Sequence, residues 1–164
     1  MHSSYPLALL LTHTALLLAV AITDLARRRV YQLWTVTALV LALVSLWFAP
    51  YPWLNVFTGL LFFSSHYYAW YRGQQRLEIT PEYTPLGGGD VWVGTYLGLL
   101  FGLAVAPPLI LAVLLLLGAL AAGLLRWRGT APAAGIWALG ALLWLALAEL
   151  LGVDPFGGGL TFTF

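Results

Sequence analysis

The sequence predicts an all-α integral membrane protein, with six transmembrane helices and both termini outside. Three observations predict it. First, 62% of the 164 residues are hydrophobic and 8% are charged, with mean hydropathy +0.91. A soluble domain carries about a quarter charged residues, so this chain cannot coat a water-facing surface. Second, long apolar segments alternate with short turns or polar stretches. Third, the Lys and Arg residues are all arginines: Arg27, Arg28, Arg29, Arg72, Arg76, Arg126 and Arg128. With six spans they all fall on one side, as the positive-inside rule asks of the cytoplasmic face.

The first apolar segment runs from about Tyr5 to Thr23. Met1-His2-Ser3-Ser4 has no basic residue, and Arg27-Arg28-Arg29 follow the apolar run. A signal peptide has the reverse order of charge, with a small-residue cleavage site behind it. The order here predicts an uncleaved helix with its start outside and its end in the cytoplasm. His13 lies mid-segment and is read as an interior hydrogen-bonding residue rather than a ligand. Asp24 sits at the cytoplasmic mouth of this helix, beside the arginines.

A second segment spans about Leu33 to Phe48. Ala49-Pro50-Tyr51-Pro52 then makes an uncharged turn, since proline breaks helices. A third segment covers about Trp53 to Tyr71. Its end, His66-Tyr67-Tyr68-Ala69-Trp70-Tyr71-Arg72, reads as an aromatic belt at a membrane interface, with His66 part of that belt. The stretch from Arg72 to Pro85 is the most polar in the chain. It holds Arg72, Arg76, Glu78 and Glu82 and reads as a water-facing loop.

That loop leads into Leu86-Gly87-Gly88-Gly89-Asp90. The glycines leave the backbone free to bend and let another chain approach closely. Gly87 and Gly89 are accordingly read as a hinge for Asp90. A fourth segment follows from about Val91 to Ala106. Sixteen residues cover about 24 Å at 1.5 Å each, less than a hydrocarbon core of about 30 Å. The glycine run is therefore expected to dip below the surface. Pro107-Pro108 predicts the next turn. A fifth segment covers about Leu109 to Leu125. After the basic loop Arg126-Trp127-Arg128-Gly129-Thr130, a sixth segment runs from about Pro132 to Leu151. The tail from Gly152 to Phe164 is glycine-rich. The whole chain reads as one transmembrane domain.

Some functions are excluded at this stage. The chain has no cysteine, which removes disulfides and thiolate metal sites. Its arginines are dispersed along helix ends, which argues against nucleic-acid binding.

The chemistry is expected at Asp24 and Asp90. Glu78 and Glu82 lie in the polar loop, and Glu149 and Asp154 lie at the outer end. Asp24 and Asp90 alone among the six acids sit at cytoplasmic ends of apolar helices. A carboxylate that reaches lipid is costly and asks for an explanation. Two carboxylates brought close cannot both ionise easily and tend to share a proton. One can then act as general base on a water while the other donates to a carbonyl oxygen. That is aspartic-protease chemistry.

Gly87-Gly88-Gly89-Asp90 resembles the GxGD motif of intramembrane aspartyl proteases. The whole pattern from Asp24 to Leu151 resembles type IV prepilin peptidases and preflagellin peptidases. Asp24 with Arg27-Arg28-Arg29 is similar to the family's first acid and its basic run. Asp90 is similar to the second acid, followed by a helix with Gly94, Gly98 and Gly102. Pro132, Gly135 and Ala138-Leu139-Gly140 partly match the start of the last helix. Two positions depart from the pattern: Val30-Tyr31-Gln32 where Ile-Pro-Asn is frequent, and Trp92 where Lys is frequent.

The resemblance implies an aspartic endopeptidase with Asp24 and Asp90 as its catalytic dyad. It implies a prepilin-like protein substrate, cut between a basic leader and an apolar helix at the cytoplasmic face of the cell's inner (plasma) membrane. It implies a multi-pass protein in contact with lipid, in the short peptidase-only form, with no cofactor, no metal and no N-methylating domain. One alternative is a catalytically silent relative that serves as a membrane assembly or interaction subunit. Another is a small proton-coupled transporter, against which both acids sit on one side.

Overall fold

The computed structural model describes residues 6–27, 30–77, 88–122 and 133–156. Gly87, Arg28, Arg29, Glu78, Glu82, Arg126, Arg128, Pro132 and the tail beyond Phe156 lie outside the described residues. Among the described residues the fold is all-helical. The helices are α1 (Leu7–Arg27), α2 (Gln32–Ser45), α3 (Pro52–Leu77), α4 (Gly88–Phe101), α5 (Ala106–Ala121) and α6 (Ala133–Leu151), with a 3₁₀ turn at Gly102–Val105. Among the described residues three stretches are long and apolar enough to cross a membrane: α1, the run Gly88–Ala121 and α6. α2 is apolar and shorter.

The physical centre is α4. From Val93 to Phe101 every residue is buried, and its apolar residues are spread all round rather than along one face. A helix covered on all sides needs no polar stripe. α3, α2 and α6 pack around it, α1 closes the ring between α2 and α6, and α5 lies outside α6. Small residues set the closest approaches. A Cβ on Gly98 would stand 2.9 Å from the Gly59 Cα and from the Thr58 carbonyl oxygen. The α3 and α4 backbones therefore meet directly, as small residues permit between membrane helices.

The outward faces are apolar. Leu7, Leu11, Leu18 and Ile22 on α1 are exposed, as are Ile110, Val113, Leu114 and Leu117 on α5. In water such continuous patches drive association. In hydrocarbon they are the expected solvent-facing surface.

Buried polar groups tie the interior together. His13 on α1 is fully buried, with Nδ1 2.7 Å from the Tyr96 hydroxyl and Nε2 2.7 Å from Ser45 Oγ. Ser45 Oγ donates its own proton to the Leu41 carbonyl at 2.7 Å. It must therefore accept from Nε2–H, which leaves Nδ1 to accept from Tyr96. The chain of donors joins α4, α1 and α2.

Several element ends differ from the sequence reading. α3 continues to Leu77, so the polar stretch after Tyr71 begins as helix. Gln74, Gln75 and Arg76 are good helix formers, and no proline interrupts them; polarity predicted water rather than loop. The turn expected at Pro107-Pro108 comes earlier, at Gly102, whose φ is +54°. Asn55 occupies the space beside it and donates from Nδ2 to the Leu99 carbonyl at 2.8 Å. It thereby caps an end of α4 that would otherwise be buried with free carbonyls. Both prolines open α5, where their missing N–H costs nothing. His66 also departs from expectation. It is half-buried between helices, stacked on Phe62 and edge-on to Trp137, instead of lying in an outer belt.

The two ends of the bundle are distinct. One gathers the end of α1 and the beginnings of α2, α4 and α6. There Val30 would lie 2.7 Å from a Cβ on Gly89. The other gathers Asn55, Gly102 and the segment after α6, where Phe156 is buried and stacks on Phe101.

Candidate active site

Asp24 occupies the last turn of α1 and is 5% exposed. Asp90 occupies the first turn of α4 and is 4% exposed. Neither lies in a loop. α1 runs on to Arg27, whose guanidinium donates to the Tyr31 hydroxyl at 3.0 Å. α4 already begins at Gly88, so Gly88 and Gly89 are helical and Gly89 provides clearance for Val30.

The structure brings both acids to one place. The Ala134 N–H donates to Asp90 Oδ1 at 2.9 Å. The next N–H along, Gly135, donates to Asp24 Oδ2 at 2.8 Å. These are the second and third residues of α6. N–H groups in a first turn have no acceptor within their own helix. Ala134 and Gly135 are buried, so external acceptors are obligatory. The acids supply them, and the positive end of the helix dipole favours a carboxylate there. Successive helical N–H groups are on the order of 3 Å apart and point the same way. The two bound oxygens are therefore held within a few ångströms of one another.

Gly135 allows this approach. A Cβ there would stand 3.2 Å from Asp24 Cβ and Oδ2, and 3.1 Å from Leu25 Cγ. Any larger residue would push the carboxyl away. On the other flank, Gly94 lies one turn along α4 from Asp90, under the ring of His66. Trp92 is 44% exposed and tilted against Phe63 at 5.6 Å, so it faces outward from the acids.

The role of α6 is what reading the residues one by one missed. Pro132 and Gly135 carried a partial resemblance, but nothing in the sequence said that two main-chain N–H groups there would serve both acids. No residue type in that stretch signals it, since the burial of Ala134 and Gly135 comes from the packing of α6 against other helices.

No curated protein and no solved structure matches the chain. A model of one family does match, over residues 11–125. That range contains Asp24, Asp90, most of α1 and all of α4, and stops short of α6. It spans well over half of the sequence, and the protein belongs to the type IV leader peptidase family.

Proposed function

We propose that the protein is an aspartic endopeptidase of the membrane that removes the leader of prepilin-like proteins, with Asp24 and Asp90 as its catalytic pair. The observation that carries this reading is the shared anchorage of both carboxylates on the consecutive N–H groups of Ala134 and Gly135. In the proposed reaction one carboxylate takes a proton from a water, and the oxygen of that water attacks the scissile carbonyl carbon. The other, protonated, carboxyl hydrogen-bonds to the carbonyl oxygen and stabilises the tetrahedral intermediate. The C–N bond then breaks, and the leaving amine takes up a proton from the pair. One peptide bond and one water become a carboxylic acid and an amine. The N–H groups of α6 orient the acids, while Gly89 lets Val30 come close to the start of α4.

We also propose six spans, both termini outside and a multi-pass location in the inner (plasma) membrane. The grouping of the ends of α1, α2, α4 and α6 supports this arrangement, as does the one-sided distribution of arginines. It places the acids at the cytoplasmic face, where a basic leader would meet the enzyme and an apolar helix would remain in lipid.

The test is processing of a prepilin-like substrate in membranes by the wild type, Asp24→Asn and Asp90→Asn. Asparagine keeps a carbonyl acceptor for the α6 N–H and removes the acid. Cleavage by the wild type and loss of at least about a thousandfold in each variant is expected, since a catalytic acid or base and its partner act as a unit. Normal processing by either variant would end the dyad assignment. A folded wild type that cleaves nothing would favour the silent relative.

A further inference from the structure

His66 is a half-buried histidine that the proposed chemistry does not use. Its position relative to the acids is defined from two sides. Its ring lies against Gly94, four residues after Asp90 on α4. It also meets Trp137 edge-on at 4.6 Å, three residues after Ala134 on α6. Asp90 and Ala134 are themselves joined by a hydrogen bond between α4 and α6. His66 therefore lies at the same seam between α4 and α6, about 6 Å further into the bundle, which is one helical turn.

The ring is held and its chemistry is defined. Nδ1 is 2.7 Å from the Phe62 carbonyl oxygen, which can only accept, so Nδ1 carries the proton. In the neutral ring Nε2 then carries a lone pair. Among the described residues no hydrogen bond reaches Nε2. Gly94 does not block it either. A Cβ on Gly94 would be 3.2 Å from Cε1, 3.2 Å from Nε2 and 3.3 Å from Cδ2. Near-equal distances to three adjacent ring atoms place Gly94 under the face of the ring. The lone pair lies in the ring plane and points past it.

A peptide bond can be hydrolysed only after the substrate helix has unwound around it. Each unwound residue frees an N–H, and at membrane depth no water is there to pair it. The enzyme must therefore offer acceptors beside the acids. An extended chain advances about 3.3 Å per residue, so about 6 Å corresponds to two residues.

We infer that His66 is a substrate-binding residue whose Nε2 accepts the main-chain N–H of the second residue after the scissile bond. The inference rests on the peptidase reading above and extends it to the part of the substrate that enters the membrane. His66→Phe keeps the ring packing and removes the acceptor. His66→Gln restores an acceptor near the position of Nε2.

The experiment uses the full chain in detergent and a synthetic peptide with a basic leader and an apolar helix. Cleavage gives kcat and KM for the wild type, His66→Phe and His66→Gln. Binding of the same peptide to Asp90→Asn, with and without His66→Phe, gives Kd. A second peptide carries an N-methyl group on the second residue after the cleavage site. His66→Phe is expected to raise KM and Kd about three- to tenfold, the size of one net hydrogen bond. Its kcat should stay within about twofold, as for a contact made equally in ground and transition states. His66→Gln should recover most of the loss. With the N-methylated peptide, wild type and His66→Phe should become equal. Unchanged Kd in His66→Phe overturns the inference, as does a loss confined to kcat that His66→Gln does not repair. A wild type that binds the peptide without cutting it removes the peptidase reading, and the Kd comparison still decides the role of His66.

Discussion

In the proposed mechanism a carboxylate at the head of α6 has two separable functions, and two substitutions part them. Asp24→Asn leaves an oxygen to accept from the Gly135 N–H, so the fold should survive while catalysis is lost. Asp24→Ala removes the acceptor and leaves a buried N–H without it. It should lower stability by a further ~1–3 kcal/mol, read as the difference in Tm between the two variants in the same detergent. Equal Tm values would mean that the bond at 2.8 Å is energetically idle. Trp34 gives a prediction of opposite sign. Its indole Nε1 is buried with no hydrogen-bond partner among the described residues, an arrangement that penalises the folded state. Trp34→Phe keeps most of the packing and discards the donor, so Tm should hold or rise. A fall by more than the area difference explains would show that the donor is satisfied in the native membrane. Asp24 and Asp90 were legible in the sequence because an ionisable group at the end of an apolar helix is improbable without a reason. The interior hydrogen bonding of His13 was legible too, but its partners Tyr96 and Ser45 were not, and neither was the standing of Trp34, because these depend on which side chains of other helices face them.

At the scale of elements, α6 matters most. Gly135→Ala should weaken catalysis more than it weakens folding, because the added methyl meets Asp24 at about the limit of contact. A shift of a few tenths of an ångström in a reacting group is expected to cost about tenfold in kcat, given that 1 Å can cost a hundredfold. KM, set by substrate contacts, should change little. If kcat and KM both stay at wild-type values, α6 does not position Asp24. Helix identity was readable from the apolar runs, and the position of the break between α4 and α5 was not. Pro107-Pro108 is a strong punctuation mark in one dimension, yet the chain turns at Gly102. A positive φ and the space for Asn55 both require glycine there. Prolines that can open the following helix had no need to make the turn.

At the scale of the molecule, the prediction concerns orientation. The chain has no cysteine, so single cysteines can be introduced and labelled with a membrane-impermeant reagent without a background. Cysteines placed at positions 126–128 should label only from the cytoplasmic side. Ala49 and Tyr51, in the turn before α3, should label only from outside. Labelling of both regions from one face would rule out the six-span arrangement. The membrane class itself was legible because it follows from composition. So was the gathering of the two acids at one end, because alternate spans reverse direction and return every second helix end to the same face.

Composition, periodicity and the placement of arginines suffice to say that the protein is helical, apolar on its outside and acidic at two helix ends. Each of these is a property of neighbours along the chain. The tertiary structure decided what holds the acids. Their donors lie 44 and 111 residues away, on a helix outside the segment that carries the family resemblance in the strict sense of the matched range. A main-chain N–H is the same in every residue, so no residue type announces it. Only the meeting of α1, α4 and the start of α6 turns two such groups into the seat of the proposed catalytic pair.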